Sequence, residues 1–378
     1  MSTDKHTNPR TERAEDARLR SPHSDAPPMK VDVTVDDRFR AIAAILLLTP
    51  WVDVNARGAD GRRWREHPIR QQVRALLAMH EDHPFVRLTR AQYESVGDFS
   101  TYFLLAAILS QEEGRWAVNQ SAYEVTVARG GTAGHLRAQT LQHMLADRYL
   151  DRLYDFVLAT DLPGLWRKQA SEWALVVNDC RAVLKHRRIP ESITSIFGRT
   201  GTPLRLIPVP EAPATTAFGP GDASTAYCCL GPPNVAENEE VALRFRLHLG
   251  HTGHIIFHEF AHTLWADASS QCPDFAARLQ PLRDQLTLKG YLATHTPPWP
   301  LLLDEIMVRV ATILYIEQVD GSETAQRQIR HEHDDYGLTC VEPATEGWRN
   351  LLMPLARREA SLPALLPTLA SRLLKSGR

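Results

Sequence analysis

Apolar residues recur along most of this chain at three- and four-residue intervals, the period of a helix with one buried face. The pattern predicts helices over Asp36–Leu48, Pro68–His80 and Thr101–Leu109. A long pair follows over Ala133–Leu158 and Asp161–His186, the second opening on an Asp-Leu-Pro start signal. Near residue 198 the period changes. Pro203–Val209 and Ala226–Leu230 are short β-type runs, separated by a stretch rich in Pro, Ala, Thr and Gly. Val241–His248 alternates apolar and polar residues and predicts a third strand, with Gly250 and Gly253 breaking the chain before the next helix. Further helices are expected over Pro273–Lys289, Trp299–Glu317, Thr324–His333, Ala344–Arg358 and Ser361–Leu374. The expected class is α+β and mostly helical, a small sheet backed by helices. Residues 1–29 are charged and free of aromatics and read as a disordered tail, 30–199 as a helical region, and 200–378 as the region that carries the chemistry.

Composition narrows the partners. With 378 residues, 43% hydrophobic and 23% charged, the chain can bury a large core as one big domain or two. A formal net charge of −2 gives no electrostatic reason to expect nucleic acid or an anionic membrane as partner, and no apolar run is long enough to span a bilayer. No apolar segment follows the early basic residues, and the five cysteines (Cys180, Cys228, Cys229, Cys272, Cys340) show no C-x-x-C spacing. Both features predict a reducing, cytoplasmic setting.

The chemistry concentrates in the run from His251 to His262, which ends in His258-Glu259-Phe260-Ala261-His262. Residues four apart on a helix share a face, so His258 and His262 can offer two imidazole nitrogens to one metal ion. Glu259 is placed to act as general base toward a water at that ion. Two imidazoles and a carboxylate with one open position suit Zn2+. The third ligand is expected from Glu305, an acid inside the otherwise apolar run Trp299–Glu317, where a metal would neutralise it. The competing reading pairs Glu305 with Arg309, four residues on. Arg309 can equally orient Glu305 or meet a substrate carboxylate. Asp267 can accept a hydrogen bond from a ligand imidazole or simply end the helix in solvent. His254, one turn before His258, is either a support for the ligands or an exposed residue at the helix start. Tyr315, His331, His333 and Tyr336 are the candidates for stabilising an oxyanion, although His331 and His333 sit among acidic residues and read first as charged surface.

Several stretches also resemble an uncharacterised bacterial family of zincin-like metallopeptidases. They are His258–His262, the segment Glu305-Ile-Met-Val-Arg-Val-Ala311, the acidic-then-Gly stretch His331–Leu338, the opening helix Val33–Leu46 and His83-Pro-Phe-Val86. Val310 stands where the family's Glu-x-x-Val-Arg-Ala pattern has Ala. The resemblance implies a gluzincin-like zinc hydrolase with His258, His262 and Glu305 as ligands and Glu259 as base, and it supplies no substrate. The resulting expectation is a zinc-dependent metallohydrolase, a peptidase acting on a peptide or protein. Two alternatives stand beside it: a zincin fold serving as a metal-stabilised binding or regulatory module, and hydrolysis of a non-peptide amide.

Overall fold

A computed structural model describes residues 29–53, 62–96, 99–112, 115–129, 139–198, 201–214, 216–219, 225–239, 241–294, 297–356 and 360–376. The tail 1–28 lies outside them. The chain is mostly helical with a small four-stranded sheet, so the α+β expectation holds.

The sheet is built from β1 (Val31–Val33), β2 (Leu204–Pro208), β3 (Ala217–Phe218) and β4 (Ala226–Leu230), in the order β1-β2-β4-β3. β1, β2 and β4 run parallel, and β3 closes the edge antiparallel to β4. All five residues of β4, Ala-Tyr-Cys-Cys-Leu, are buried, as expected of an unbroken apolar run covered on both faces. Val31 pairs with Leu204, so the sheet draws strands from both sides of residue 200. One apolar cluster runs from Val33 to Leu373.

Helix α1 (Asp37–Leu46) is capped by Asp36, whose carboxylate accepts from the Arg38 amide at 3.0 Å, and every residue from Phe39 to Leu46 is buried. α2 (Ala170–His186) packs on β1 and β2. α3 (Leu249–Ser270) packs along β4 and β3. α4 (Trp299–Asp320) lies along α3, α5 (Ser322–Tyr336) folds back on it after Gly321, and Val341–Ala356 adds a further layer. No helix among the described residues is long and apolar enough to cross a membrane. All five cysteines are free.

Four expectations need correction. Val241–His248 forms no strand: it runs irregularly into turns, and α3 begins directly at Leu249, with His248 in the left-handed region at φ 57°. The side chains explain this. Arg244 donates twice to the buried Asp179 of α2 (2.6 and 2.7 Å), Arg246 lies 3.6 Å from the same carboxylate, and Phe245 packs edge-on against His67. These side-chain anchors take the place of a ladder. Gly250 and Gly253 break nothing and lie inside α3, where Gly253 leaves room for Arg187. Pro273–Lys289 is two single-turn helices, Phe275–Arg278 and Gln280–Arg283, with Pro281 at the start of the second. The expected long pair is also segmented. Residues 130–138 fall outside the described set, Arg148 adopts φ 58° before Tyr149–Ala159, and Gln169 divides Leu162–Lys168 from α2.

Candidate metal centre

α3 and α4 run antiparallel, and side-chain pairs fix their register. His254 meets Asp320 at one end, Phe257 stacks on Tyr315 (4.4 Å, 2° between ring planes), the His258 ring reaches Thr312, and Trp265 donates to Asp304 at the other end (2.9 Å). In that register the face of α3 bearing His258 and His262 lies opposite Glu305. The Nε2 atoms of His258 and His262 are 3.2 Å apart. Glu305 Oε1 is 3.9 Å from the first and Oε2 3.6 Å from the second. Ligands at about 2.0–2.1 Å in a tetrahedral shell sit roughly 3.4 Å from one another, so this spread fits one zinc-sized ion. Among the described residues these three form the group whose ligand atoms all lie within 4.8 Å.

The protonation pattern suits metal binding. Burial, with His262 second, pushes the His258 imidazole down to about 3, against the opposing pull of Glu305. That ring is neutral at ordinary pH. Its tautomer follows from a chain of bonds. The Thr312 hydroxyl gives its proton to the Val308 carbonyl (2.9 Å), so at 3.3 Å from His258 Nδ1 it can only accept. Nδ1 therefore carries the hydrogen and Nε2 turns a lone pair toward His262. Burial favours the neutral form of Glu305, but His258, His262 and Arg309 outweigh it and hold the carboxyl down at about 2. Of these three, Arg309 is the partner that is charged at any ordinary pH.

Arg309 braces the Glu305 carboxylate. Its Nε donates to Glu305 at 2.7 Å and its Nη1 to Glu332 of α5 at 2.5 Å, while its guanidinium lies 4.6 Å from the centre of the Tyr336 ring. The ion pair with Arg309 is therefore present, and it leaves Glu305 facing the two imidazoles. Asp304 is directed away by its bond from Trp265.

Glu259 sits beside the pair of imidazoles, on the turn that faces the sheet edge. Burial first, then the charge of Glu305, pushes its carboxyl up to about 8, and a hydrogen bond from the Gly219 amide works in the opposite direction. A divalent cation at the ligands would draw that value down again. Gly219 directly follows β3 and approaches so closely that a Cβ there would lie 2.3 Å from the Glu259 carbonyl oxygen. Nothing about Gly219 stood out in the sequence; only its place at the strand edge gives it this contact.

The remaining candidates disperse. Asp267 accepts from Thr202 (3.1 Å). His254 bonds Asp320 (2.7 Å) and lies 3.2 Å from the Arg187 guanidinium, which also grips Asp320, so it ties helices together below the ligands. His331 and His333 pair with Asp335 and Asp334 (2.5 and 2.8 Å) on the exposed face of α5. The Tyr315 hydroxyl donates to the Arg187 carbonyl (3.0 Å). Tyr336 stacks on Arg309 and meets Tyr291 edge-on (6.1 Å between centroids). Tyr291, missed in the sequence, is half exposed and feels the charges of both Glu305 and Arg309. It sits in the short helix Gly290–Thr294, whose pattern is too brief to mark it.

Comparison of the chain with known protein families, characterised proteins and solved structures returns no match.

Proposed function

We propose that this protein is a zincin-like, zinc-dependent metallohydrolase, and a peptidase in particular. One observation carries the reading: the imidazoles of His258 and His262 bring their Nε2 atoms to 3.2 Å, with the ionised Glu305 carboxylate closing the third side. The His258 Nε2 lone pair points into that gap, and a cation there would draw one ligand atom from each of the three side chains. The donor set supports zinc, and kinship contributes nothing to the choice.

His258, His262 and Glu305 would hold the ion, which when bound supplies Lewis-acid polarisation of a substrate carbonyl at its open position. Glu259 takes the proton from the attacking water and delivers it to the leaving amine. The Gly219 amide aims the Glu259 carboxylate, and Arg309 fixes Glu305. Val241–His248, predicted as the strand before α3, is not one; β3 is the edge strand beside Glu259 and offers the backbone groups on which an extended peptide can pair.

Two measurements test this. Purified protein should contain about one zinc per chain, lost in His262→Ala, as an open three-ligand site requires. Cleavage of a peptide library should disappear in Glu259→Gln while the zinc stays. A zinc-loaded wild type that cleaves nothing sinks the peptidase reading in favour of the binding-module alternative, and a chain that takes up no zinc removes both.

A further inference from the structure

Two half-buried aromatic rings stand at the sheet edge beside Glu259. Phe218 ends β3, one residue before the glycine whose amide holds the base. Residues opposite each other in a ladder share a face, and successive residues alternate between faces. Ala217 pairs with Leu230 and Phe218 with Cys229. Tyr227, two residues before Cys229 and so on the same face, meets Phe39 of α1 at 5.2 Å. Phe218 therefore lies on the α1 face of the sheet. Gly219, the next residue, turns to the α3 face and touches Glu259.

Phe99, at the start of the helix Phe99–Ile108, meets Phe218 edge-on, with 6.4 Å between centroids and 73° between planes. Trp51 (6.0 Å) and Phe103 (6.4 Å), both buried, hold the Phe99 ring from behind. Phe99 and Phe218 themselves stay partly open to solvent. Closing the end of the core would account for the inner side of both rings. It does not call for a phenyl group at a sheet edge, and among the described residues no strand pairs with the outer side of β3. Such edges are ordinarily blunted with charge or proline.

We propose that Phe218 and Phe99 seat a large apolar side chain of the substrate, so that the enzyme selects peptides with an aromatic residue or leucine at one of the two positions flanking the cut bond. The inference rests on the peptidase reading of the metal centre. A peptide that extends the sheet at β3 alternates its side chains between the two faces. Of the two residues flanking the bond, one then turns toward α3 and the other toward Phe218. Opposed and diagonal side chains across a strand pair come within reach of an aromatic ring, and an edge-to-face contact favours an aromatic guest.

The zinc-loaded full chain digests a random peptide library, and mass spectrometry of the products reads the residues on each side of every cut. Phe, Tyr, Trp and Leu should be enriched at one flanking position. Two synthetic peptides that differ only in Phe or Ala at that position should differ at least about tenfold in kcat/KM. Phe218→Ser, on the strand edge, should bring that ratio to within about threefold. Phe99→Leu, which keeps an apolar anchor on Trp51, should lower it in the same direction. A displaced base would slow both peptides alike, so the ratio isolates the seat. Cleavage with no apolar preference at either flanking position, or a preference that survives both substitutions, overturns this inference and leaves the peptidase reading standing. A zinc-loaded chain that cleaves nothing overturns both.

Discussion

Arg309→Met isolates what the brace behind Glu305 contributes. Methionine keeps most of the volume and the helical propensity and removes the charge. Arg309 is 14% exposed and its partner Glu332 3% exposed, so the change strands a buried carboxylate. Breaking such a pair destabilises by about 3–5 kcal/mol, and the bond that Gln328 still donates to the other oxygen of Glu332 (2.7 Å) puts the expectation at the low end, about 3 kcal/mol. The effect on the metal is separate. Losing a partner that orients a ligand weakens zinc binding by about 10- to 100-fold. The double variant Arg309→Met, Glu332→Gln removes both charges, so it should recover most of the stability while zinc affinity stays low, because Glu305 still lacks its Nε donor. Urea denaturation of the metal-free chain reads the first quantity, and competition with a chromophoric zinc chelator reads the second. If Arg309→Met unfolds more easily but holds zinc within about twofold of the parent, far short of that loss, the arginine serves the fold alone and the brace is refuted.

Glu211→Gln should change how stability depends on pH. Burial pushes the Glu211 carboxyl from 4.5 up to about 7, against the pull of Arg40, so the folded state keeps a proton that the unfolded state releases earlier. Its contribution is therefore most favourable below pH 4.5 and declines as pH rises toward 7, by about 3 kcal/mol for a shift of this size. Denaturation of wild type and variant at pH 4.5 and 7.5 should show the variant gaining relative to wild type at the higher pH; parallel curves would contradict the assignment. Gly219→Ala places a methyl 2.3 Å from the Glu259 carbonyl, so the base must shift. Turnover of a cleaved peptide should fall on the order of 100-fold with zinc content unchanged, and undiminished turnover would show that Gly219 does not aim the base. Asp320→Ala releases Arg187 and His254 together, so the melting temperature should drop while zinc stoichiometry holds; loss of zinc would mean that His254 supports the ligands after all.

Much of the centre was legible because a helix is a local object. The four-residue spacing of His258 and His262 sets their common face wherever α3 lies, and an acid inside the apolar run of α4 needs a partner whatever that partner is. The fully apolar β4 read correctly for the same reason. Where the sequence misled, a distant residue decided. Val241–His248 alternates like a strand, but the buried Asp179 draws in Arg244 and Arg246, and among the described residues no strand pairs with it. Val31–Val33 is too short to announce a strand and becomes one only by pairing with Leu204–Leu206.

The spacing of His258, Glu259 and His262, and the acid at Glu305, belong to the sequence itself. That they surround one point was decided by the antiparallel register of α3 and α4, set by Phe257 on Tyr315 and Trp265 on Asp304. The partner roles of Gly219 and Glu332 likewise arise only in three dimensions. Periodicity is written in neighbours along the chain, whereas neutralising a buried charge depends on whichever group packing brings beside it.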